Sequence, residues 1–483
     1  MDTIWSAPLK DVKGPKYELV AEKIRTRVAS GVLQPGAKLP PVRELAYRLG
    51  ITPGTVSRAY GMLTDEGILK GEVGRGTFVA EPHADDPICP DHADDDPDAR
   101  AWQALEIDVI AHGTGMLEGH EVNLFSPHLP SVGQSRLIRE LLARVAEDPP
   151  SGLMHYPSRA GSLPAREAVV RWLKDAPTGS VSASEIVLTN GGQNAISLVL
   201  QALLRGRRPA VLVEELAYPG FRRAAELLRA EVIPVAMDAD GLIPEAVEAA
   251  ARGCDAQVLC TSPEIHNPTL ICTPLERRKA LAEVARRLDL QILEDDCYRM
   301  IRAATPAYRM LAPERSWYVS SISKSITPAL RVGFAIAPEG SASGLRRAAE
   351  HGFFGLATPL TDLTAMLLDH PKIDALTEDV ARVVGRYVQS AVNILGRYDL
   401  KWREDAAFLW LELPKGWRAG AFCRAAEAQG VQLRSAEDFA PRSVNTPHAV
   451  RFAVNAGIPL TRFEDALRRL ADLLDNPPER IEV

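Results

Sequence analysis

The sequence has little cysteine: six residues in 483, at positions 89, 254, 260, 272, 297 and 423. No two form a Cys-x-x-Cys pair, and no histidine cluster stands beside them. A structural zinc site or a disulfide framework is therefore not expected, and scattered free thiols fit a reducing cytosol. Any apolar run long enough to span a bilayer is missing. The opening residues, MDTIWSAPLKDVKGPK, have no apolar centre of the signal-peptide kind. With both absent, the expected location is cytoplasmic, with no membrane partner. A basic surplus is missing too: the net charge of −7 argues against a chain that coats nucleic acid along its whole length. A local basic patch stays compatible with that sum, because partner choice depends on where charge sits. No internal repeat is visible.

What is present is an ordinary soluble composition, 46% hydrophobic and 25% charged, in a chain too long for one core. The sharpest compositional change is EPHADDPICPDHADDDPDAR, from Glu81 to Arg100, where eight carboxylates face a single arginine and prolines recur. Such a stretch cannot bury a core and should be an extended, self-repelling linker. The expected boundaries are 15–82 for a small N-terminal unit, 83–103 for the linker and 104–478 for a large C-terminal unit.

In the small unit, YELVAEKIRTRVA sets Leu19, Val20, Ile24 and Val28 near helical spacing. VRELAYRLG reads as a short helix ended by Gly50. Thr52 is an N-cap with Pro53 at the first helical position, so PGTVSRAYGMLTDEG should be a helix. It should bury Val56, Tyr60 and Leu63 and turn Thr55, Ser57 and Arg58 outward. ILKGEVGRGTFVA reads as two short strands around a glycine-rich turn. Helix, turn, helix and wing form a DNA-reading arrangement. The blocks SGVLQPGAKLP, VRELA, TVSRAYGMLTDEGIL and GRGTFV resemble, in order, the winged helix-turn-helix of the GntR family. The resemblance implies that Arg43, Thr55, Ser57 and Arg58 meet the major groove or its phosphates. It also implies that Arg75, Gly76 and Thr77 approach the minor groove or backbone. Arg48 is expected to be solvated.

The large unit alternates strand-like runs (EIVLTN, PAVLVEE, AQVLCTSPE, LQILEDD, WYVSSIS, RVGFAIAP) with helical patterns such as FRRAAELLRAE and LERRKALAEVARRL. That alternation predicts an α/β domain with a mainly parallel sheet. Chemistry-bearing residues follow the strand-like runs. TNGGQNAI opens a helix with Gly191 and Gly192, a ready anion site. Further runs lead to Tyr218, to Asn267-Pro268-Thr269, to Asp295-Asp296-Cys297-Tyr298 and to Lys324 within SSISKSITPALRVGF. In a fold of this kind such loops converge at one sheet edge.

Together these motifs resemble the fold-type I, pyridoxal 5'-phosphate (PLP)-dependent aminotransferases of class I/II over roughly 105–475. By that resemblance Lys324 forms the Schiff base with PLP, and Asp295 pairs with the pyridine nitrogen so that the ring serves as an electron sink. Asn267 and Tyr298 hydrogen-bond the phenolic oxygen, and Tyr218 stacks on the ring. Gly192, Gln193, Ser321, Ser323 and Arg331 cradle the phosphate. Arg451 grips a ligand carboxylate through its planar fork. Tyr156, in MHYPSRAGSLPARE, matches a tyrosine that reaches the phosphate of the neighbouring subunit. Two departures stand out: Leu270 replaces the usual glycine after Asn-Pro-Thr, and Cys297 precedes the tyrosine.

A GntR-like winged helix fused to such a domain is the architecture of the MocR subfamily of regulators. The resemblance implies a homodimer, head-to-tail, binding double-stranded operator DNA. It also implies that an amino acid, an amine or PLP itself acts as effector through the Lys324 aldimine, with no metal. The alternatives left open are an active aminotransferase with an accessory DNA-binding unit, and a PLP-binding scaffold that never touches DNA.

Overall fold

Leu19, Val20, Ile24 and Val28 do share one side of a helix, α1 (Lys16–Ala29), where Val20 and Ile24 are buried and the other two are packed against them. The computed structural model describes residues 16–29, 32–34, 36–65, 68–72, 76–79, 121–300 and 305–477. The expected linker at 83–103 and the wing residue Arg75 lie outside the described residues. The chain divides into two units, 1–90 and 91–483.

In the first unit, α2 (Val42–Leu49) stops at Gly50, whose φ of +65° is the left-handed conformation that glycine adopts without a Cβ penalty. Helix α3 (Pro53–Asp65) starts where the cap predicts, with the Thr55 N–H donating to Thr52 Oγ1 at 3.3 Å. Val56, Tyr60 and Leu63 are buried, and Ser57 and Arg58 are exposed with Thr55 half-buried. The Tyr60 hydroxyl donates to the Pro40 carbonyl at 2.8 Å, tying α3 to the turn ahead of α2. Strands β1 (Leu69–Glu72) and β2 (Gly76–Val79) pair antiparallel, and Lys38 bridges to Phe78 on the same ribbon. The unit thus has a core of its own, built from α1, α2, α3 and the ribbon.

The second unit begins with β3 (Val122–Asn123), α4 (Gln134–Glu147) and α5 (Leu163–Trp172). Alternation follows: β4 (Ile186–Thr189), α6 (Gly191–Leu203), β5 (Ala210–Glu214), α7 (Pro219–Leu227), β6 (Glu231–Val235) and a hairpin of β7 (Met237–Asp238) and β8 (Gly241–Leu242). It continues with α8 (Pro244–Arg252), β9 (Ala256–Thr261), α9 (Leu275–Arg287), β10 (Gln291–Asp295), α10 (Tyr308–Leu311), β11 (Ser316–Ser321) and β12 (Gly333–Ile336). The seven-stranded sheet has the order β4-β12-β11-β10-β9-β5-β6. Only β12 runs against its neighbours within that sheet. The strands read as continuous apolar runs because both sheet faces are covered. Val187, Val211 and Val213 pack toward α6, α7 and α11 (Ala342–Phe353). Ile186 and Leu188 face the opposite way, toward α4, α5 and α12 (Thr358–Leu368). Leu212, on that side too, packs toward α8 and α9.

The long α13 (Ile373–Leu395) leads to a second sheet. Its strands β13 (Asp399–Lys401), β14 (Phe408–Glu412), β16 (Arg434–Ser435) and β17 (Ala449–Ala453) are antiparallel in the order β13-β14-β17-β16. Helices α14 (Ala419–Ala428) and α15 (Leu460–Asp475) pack on it, and β15 (Val431–Gln432) pairs with β3. Among the described residues no helix is long and apolar enough to cross a membrane.

Candidate cofactor site and DNA-reading face

Five strands of the large sheet end at one edge, and their loops carry the residues singled out above. Gly191 and Gly192 open α6 after β4. A Cβ on Gly191 would lie 2.8 Å from Arg331 Nη2, and one on Gly192 would lie 2.4 Å from Cys297 Sγ. Both contacts are shorter than packing allows, so a side chain at either position of this cradle would displace Arg331 or Cys297. Gly333 is as confined, since its Cβ would fall 2.6 Å from the Gly191 carbonyl carbon. Arg331 reaches the cradle from a left-handed backbone with φ +50°, two residues before the start of β12. Gln193 donates to the Gly220 carbonyl at 3.0 Å, so its side chain joins α6 to the start of α7.

Ser321 ends β11 and caps the short 3-10 turn Ile322–Lys324, accepting from the Ser323 N–H at 3.4 Å. The Ser323 hydroxyl is buried without a hydrogen-bond partner. Lys324 is half-buried, its Nζ 5.8 Å from the centroid of the Tyr298 ring. Asp295, at the end of β10, is buried and accepts from the Cys297 N–H at 3.0 Å. Burial pushes its carboxyl up to about 6, with the Cys297 thiol and N–H pulling the other way. Its neighbour Asp296 is held elsewhere, by the Tyr318 hydroxyl and by Arg299 at 2.9 Å. Tyr218 stands at the N-cap of α7, edge-on to Phe221 at 6.2 Å. Burial raises its hydroxyl well above the ordinary tyrosine range, helped by Tyr298 and Asp295.

Asn267 is 1% exposed. Its Oδ1 accepts from Arg451 Nη1 at 3.1 Å, while its Nδ2 is buried with no partner. Arg451, on β17, also donates to the Phe125 carbonyl, and its buried Nε has no partner. The guanidinium lies 5.3 Å from the Phe408 centroid and 5.1 Å from that of Phe439. Burial lowers its pKa, with Tyr298 opposing. An arginine between two aromatic faces, bonded only to neutral oxygens, is poised for an anion. Leaving a buried donor unmade costs about 1–3 kcal/mol, so a ligand that met Asn267 Nδ2, Ser323 Oγ and Arg451 Nε would bind with that much to recover at each.

Tyr156 stands apart. It is 84% exposed, its ring 6.0 Å from that of Phe354, and Leu153, Met154 and Phe354 are exposed with it. Two groups that motif reading did not single out belong to the same sheet edge: Glu214 at the end of β5 and His266 beside Asn267. Both are buried polar side chains, and neither breaks the apolar pattern enough to be noticed in sequence.

On the small unit, Arg43, Ser57 and Arg58 are exposed, as is Gly76, and Thr77 is half-buried. The Arg58 guanidinium stacks over the Tyr17 ring at 4.1 Å, which limits its rotamers while leaving it at the surface. Arg48 is paired with Glu44 at 2.5 Å. Lys38, not anticipated, sits beside the wing: a Cβ on Gly76 would lie 3.0 Å from its Cε.

Residues 130–470 match the family described as aminotransferase class I and II, and residues 16–79 match bacterial regulatory proteins of the gntR family. The chain is 28% identical to the HTH-type transcriptional regulator YdeF of Bacillus subtilis, over 98% of this chain and 97% of the relative. It is 30% identical to PdxR, the HTH-type pyridoxine biosynthesis transcriptional regulator of Corynebacterium glutamicum, over 66% of this chain and 65% of the relative. An archaeal alanine:glyoxylate aminotransferase superposes with a TM-score of 0.66 at 22% identity, over 74% of this chain and 91% of that one, a likeness of fold.

Proposed function

The chain belongs to the GntR-type, MocR-like transcriptional regulators that carry an aminotransferase class I and II domain, and from that premise we propose that the large unit is a PLP-loaded sensor whose ligand state sets the affinity of the winged helix for operator DNA. The observation that carries this reading is a buried site with unmet polar atoms at Asn267, Ser323 and Arg451, gathered around Lys324 and Asp295. The residues fit PLP. The glycine cradle at the N-terminus of α6, with Arg331, suits a phosphate dianion. Asp295 suits a pyridinium, and Asn267 Nδ2 suits a phenolic oxygen.

In this reading Lys324 holds the cofactor covalently. Asp295, Asn267 and Tyr298 orient the ring, and Tyr218 covers one face. Gly192, Gln193, Ser321, Ser323 and Arg331 hold the phosphate. When bound, PLP supplies an aldehyde carbon that condenses with primary amines and a ring that withdraws electrons. Arg451 selects ligands that bring a carboxylate or another planar anion to it. Pairing of Asp295 with a cation would offset the burial that raises its carboxyl. An amino acid or amine, or PLP itself, biases a two-state equilibrium only by its difference in affinity for the two states. A homodimer, head-to-tail, would give Tyr156 a partner site to enter, and its exposure with Leu153, Met154 and Phe354 supports that assembly.

The test is operator binding by the full chain, with and without PLP and a panel of amino acids and amines, compared with Lys324→Ala shown to be folded. The expected result is an operator affinity that responds to a ligand in wild type and not in Lys324→Ala. Equal responses in the two proteins would overturn the sensor reading. A second reading, an active aminotransferase with an accessory DNA-binding unit, is favoured by the presence of every cofactor-facing residue. Repeated release of an oxo acid would select it, whereas a single spectral change without turnover would select the sensor.

A further inference from the structure

His266 closes the turn that carries Asn267. Its carbonyl accepts from the Leu270 N–H at 2.7 Å, its own N–H donates to the Ile271 carbonyl at 3.1 Å, and its Nδ1 lies 2.6 Å from Thr269 Oγ1. The other ring nitrogen, Nε2, points at Glu214 Oε2, 3.5 Å away. His266 and Glu214 are each 2% exposed, and these two facing atoms have no hydrogen-bond partner within bonding distance. The second carboxylate oxygen of Glu214 is satisfied, by the Thr261 hydroxyl and by the Ser262 N–H at 3.3 Å.

Buried polar atoms are almost always paired, so two orphans facing each other define one shared need. A proton on Nε2 directed at Oε2 meets both. Glu214 ends β5, Thr261 ends the adjacent β9 and Asp295 ends the next strand, β10. Glu214 therefore sits two strands from Asp295, with β9 between them, and an uncompensated charge on Glu214 makes ionisation of Asp295 harder. An unpaired carboxylate at this depth costs several kcal/mol unless a donor answers it.

We propose that His266 and Glu214 form a buried positioning pair for the cofactor site, in which His266 clamps the Asn267 turn from inside and its Nε2 proton screens Asp295 from the Glu214 charge. Neither residue touches the cofactor; both act through Asn267 and Asp295. The inference rests on PLP binding as proposed above.

The experiment is PLP titration of the full-length protein, read by visible absorbance of the bound cofactor across pH and by affinity, with thermal unfolding as a folding control. The variants are His266→Ala, His266→Gln, Glu214→Gln and the double variant His266→Ala/Glu214→Gln. His266→Ala is expected to lower PLP affinity about tenfold or more. It should also shift the pH at which the bound cofactor changes its spectrum. Removing the glutamate charge in the double variant should return that spectral midpoint toward wild type while leaving part of the affinity loss, because the clamp is still missing. His266→Gln, which can accept from Thr269 and donate to Glu214, should restore most of the affinity. Wild-type affinity and spectrum in His266→Ala, or no spectral recovery in the double variant, would overturn the pair. If His266→Ala fails to fold, His266→Leu and His266→Leu/Glu214→Gln, which keep the buried volume, decide: a pair confined to stability would change their unfolding and leave both spectral midpoints at the wild-type value. Failure of the wild type itself to bind PLP would overturn the sensor reading instead, and would be recognised before any variant is compared.

Discussion

Asp295 shows how a single buried carboxyl couples stability to ligand binding. Its folded value, about 6, lies above the ordinary 3.8. A carboxyl raised on folding favours the fold when protonated. That contribution is complete below the unfolded value and is lost as pH rises through the folded one. Two units correspond to roughly 3 kcal/mol. Asp295→Asn keeps an acceptor for the Cys297 N–H without the charge. In the absence of cofactor it should therefore be more stable than wild type by about 1–3 kcal/mol near pH 8 and indistinguishable around pH 4, by urea unfolding. Leu270 poses an opposite balance. Its φ of +65° costs about 1–2 kcal/mol for an L-residue. Its side chain, however, is buried with Ile265, Phe408 and Trp410, and deleting such a leucine costs about 2–5 kcal/mol. Burial wins, so Leu270→Gly should be less stable by about 1–3 kcal/mol in chemical denaturation. The departure from glycine was legible in sequence, and its compensation was not, because that compensation is a contact with β14. Residues such as Lys324 and Asn267 stood out because each follows a strand-like run in a recognisable motif. Glu214 and His266 did not, because a contact between two buried polar side chains distant along the chain leaves no period in the sequence.

At the scale of elements, the start and the buried face of α3 were readable: the Thr52 cap, Pro53 and the spacing of Val56, Tyr60 and Leu63 all mark one helix. The cation–π contact of Arg58 with Tyr17 joins residues far apart in sequence and could only be seen folded. Arg58→Ala should weaken operator binding by about 1–3 kcal/mol while PLP occupancy stays unchanged, by fluorescence anisotropy and absorbance on the same samples. Six strands of the large sheet were legible as apolar runs. The seventh, β6, was not, since Pro234 interrupts its pattern; the proline is tolerated because β6 lies at the sheet edge. The reversed direction of β12 was also hidden, because hydropathy is the same read either way.

At the scale of the whole molecule, each unit holds its own core. Calorimetry of the full chain should therefore show two transitions, and PLP should shift only the one that belongs to the large unit. A cofactor at a hundred times its Kd adds about 2.7 kcal/mol to the state that binds it. Movement of both transitions together would mean that the two units unfold as one.

The strand order has a kinetic corollary. β4 carries the start of the glycine cradle, yet its only neighbour in the large sheet is β12, which enters far later in the chain. Loop closure over such a separation must precede the contacts that reward it, which slows folding. During synthesis β4 emerges long before its partner and waits with unpaired backbone, a state prone to aggregation. The cradle cannot form before β12 is made, so the cofactor binding proposed above would follow completion of this part of the sheet and could not seed it.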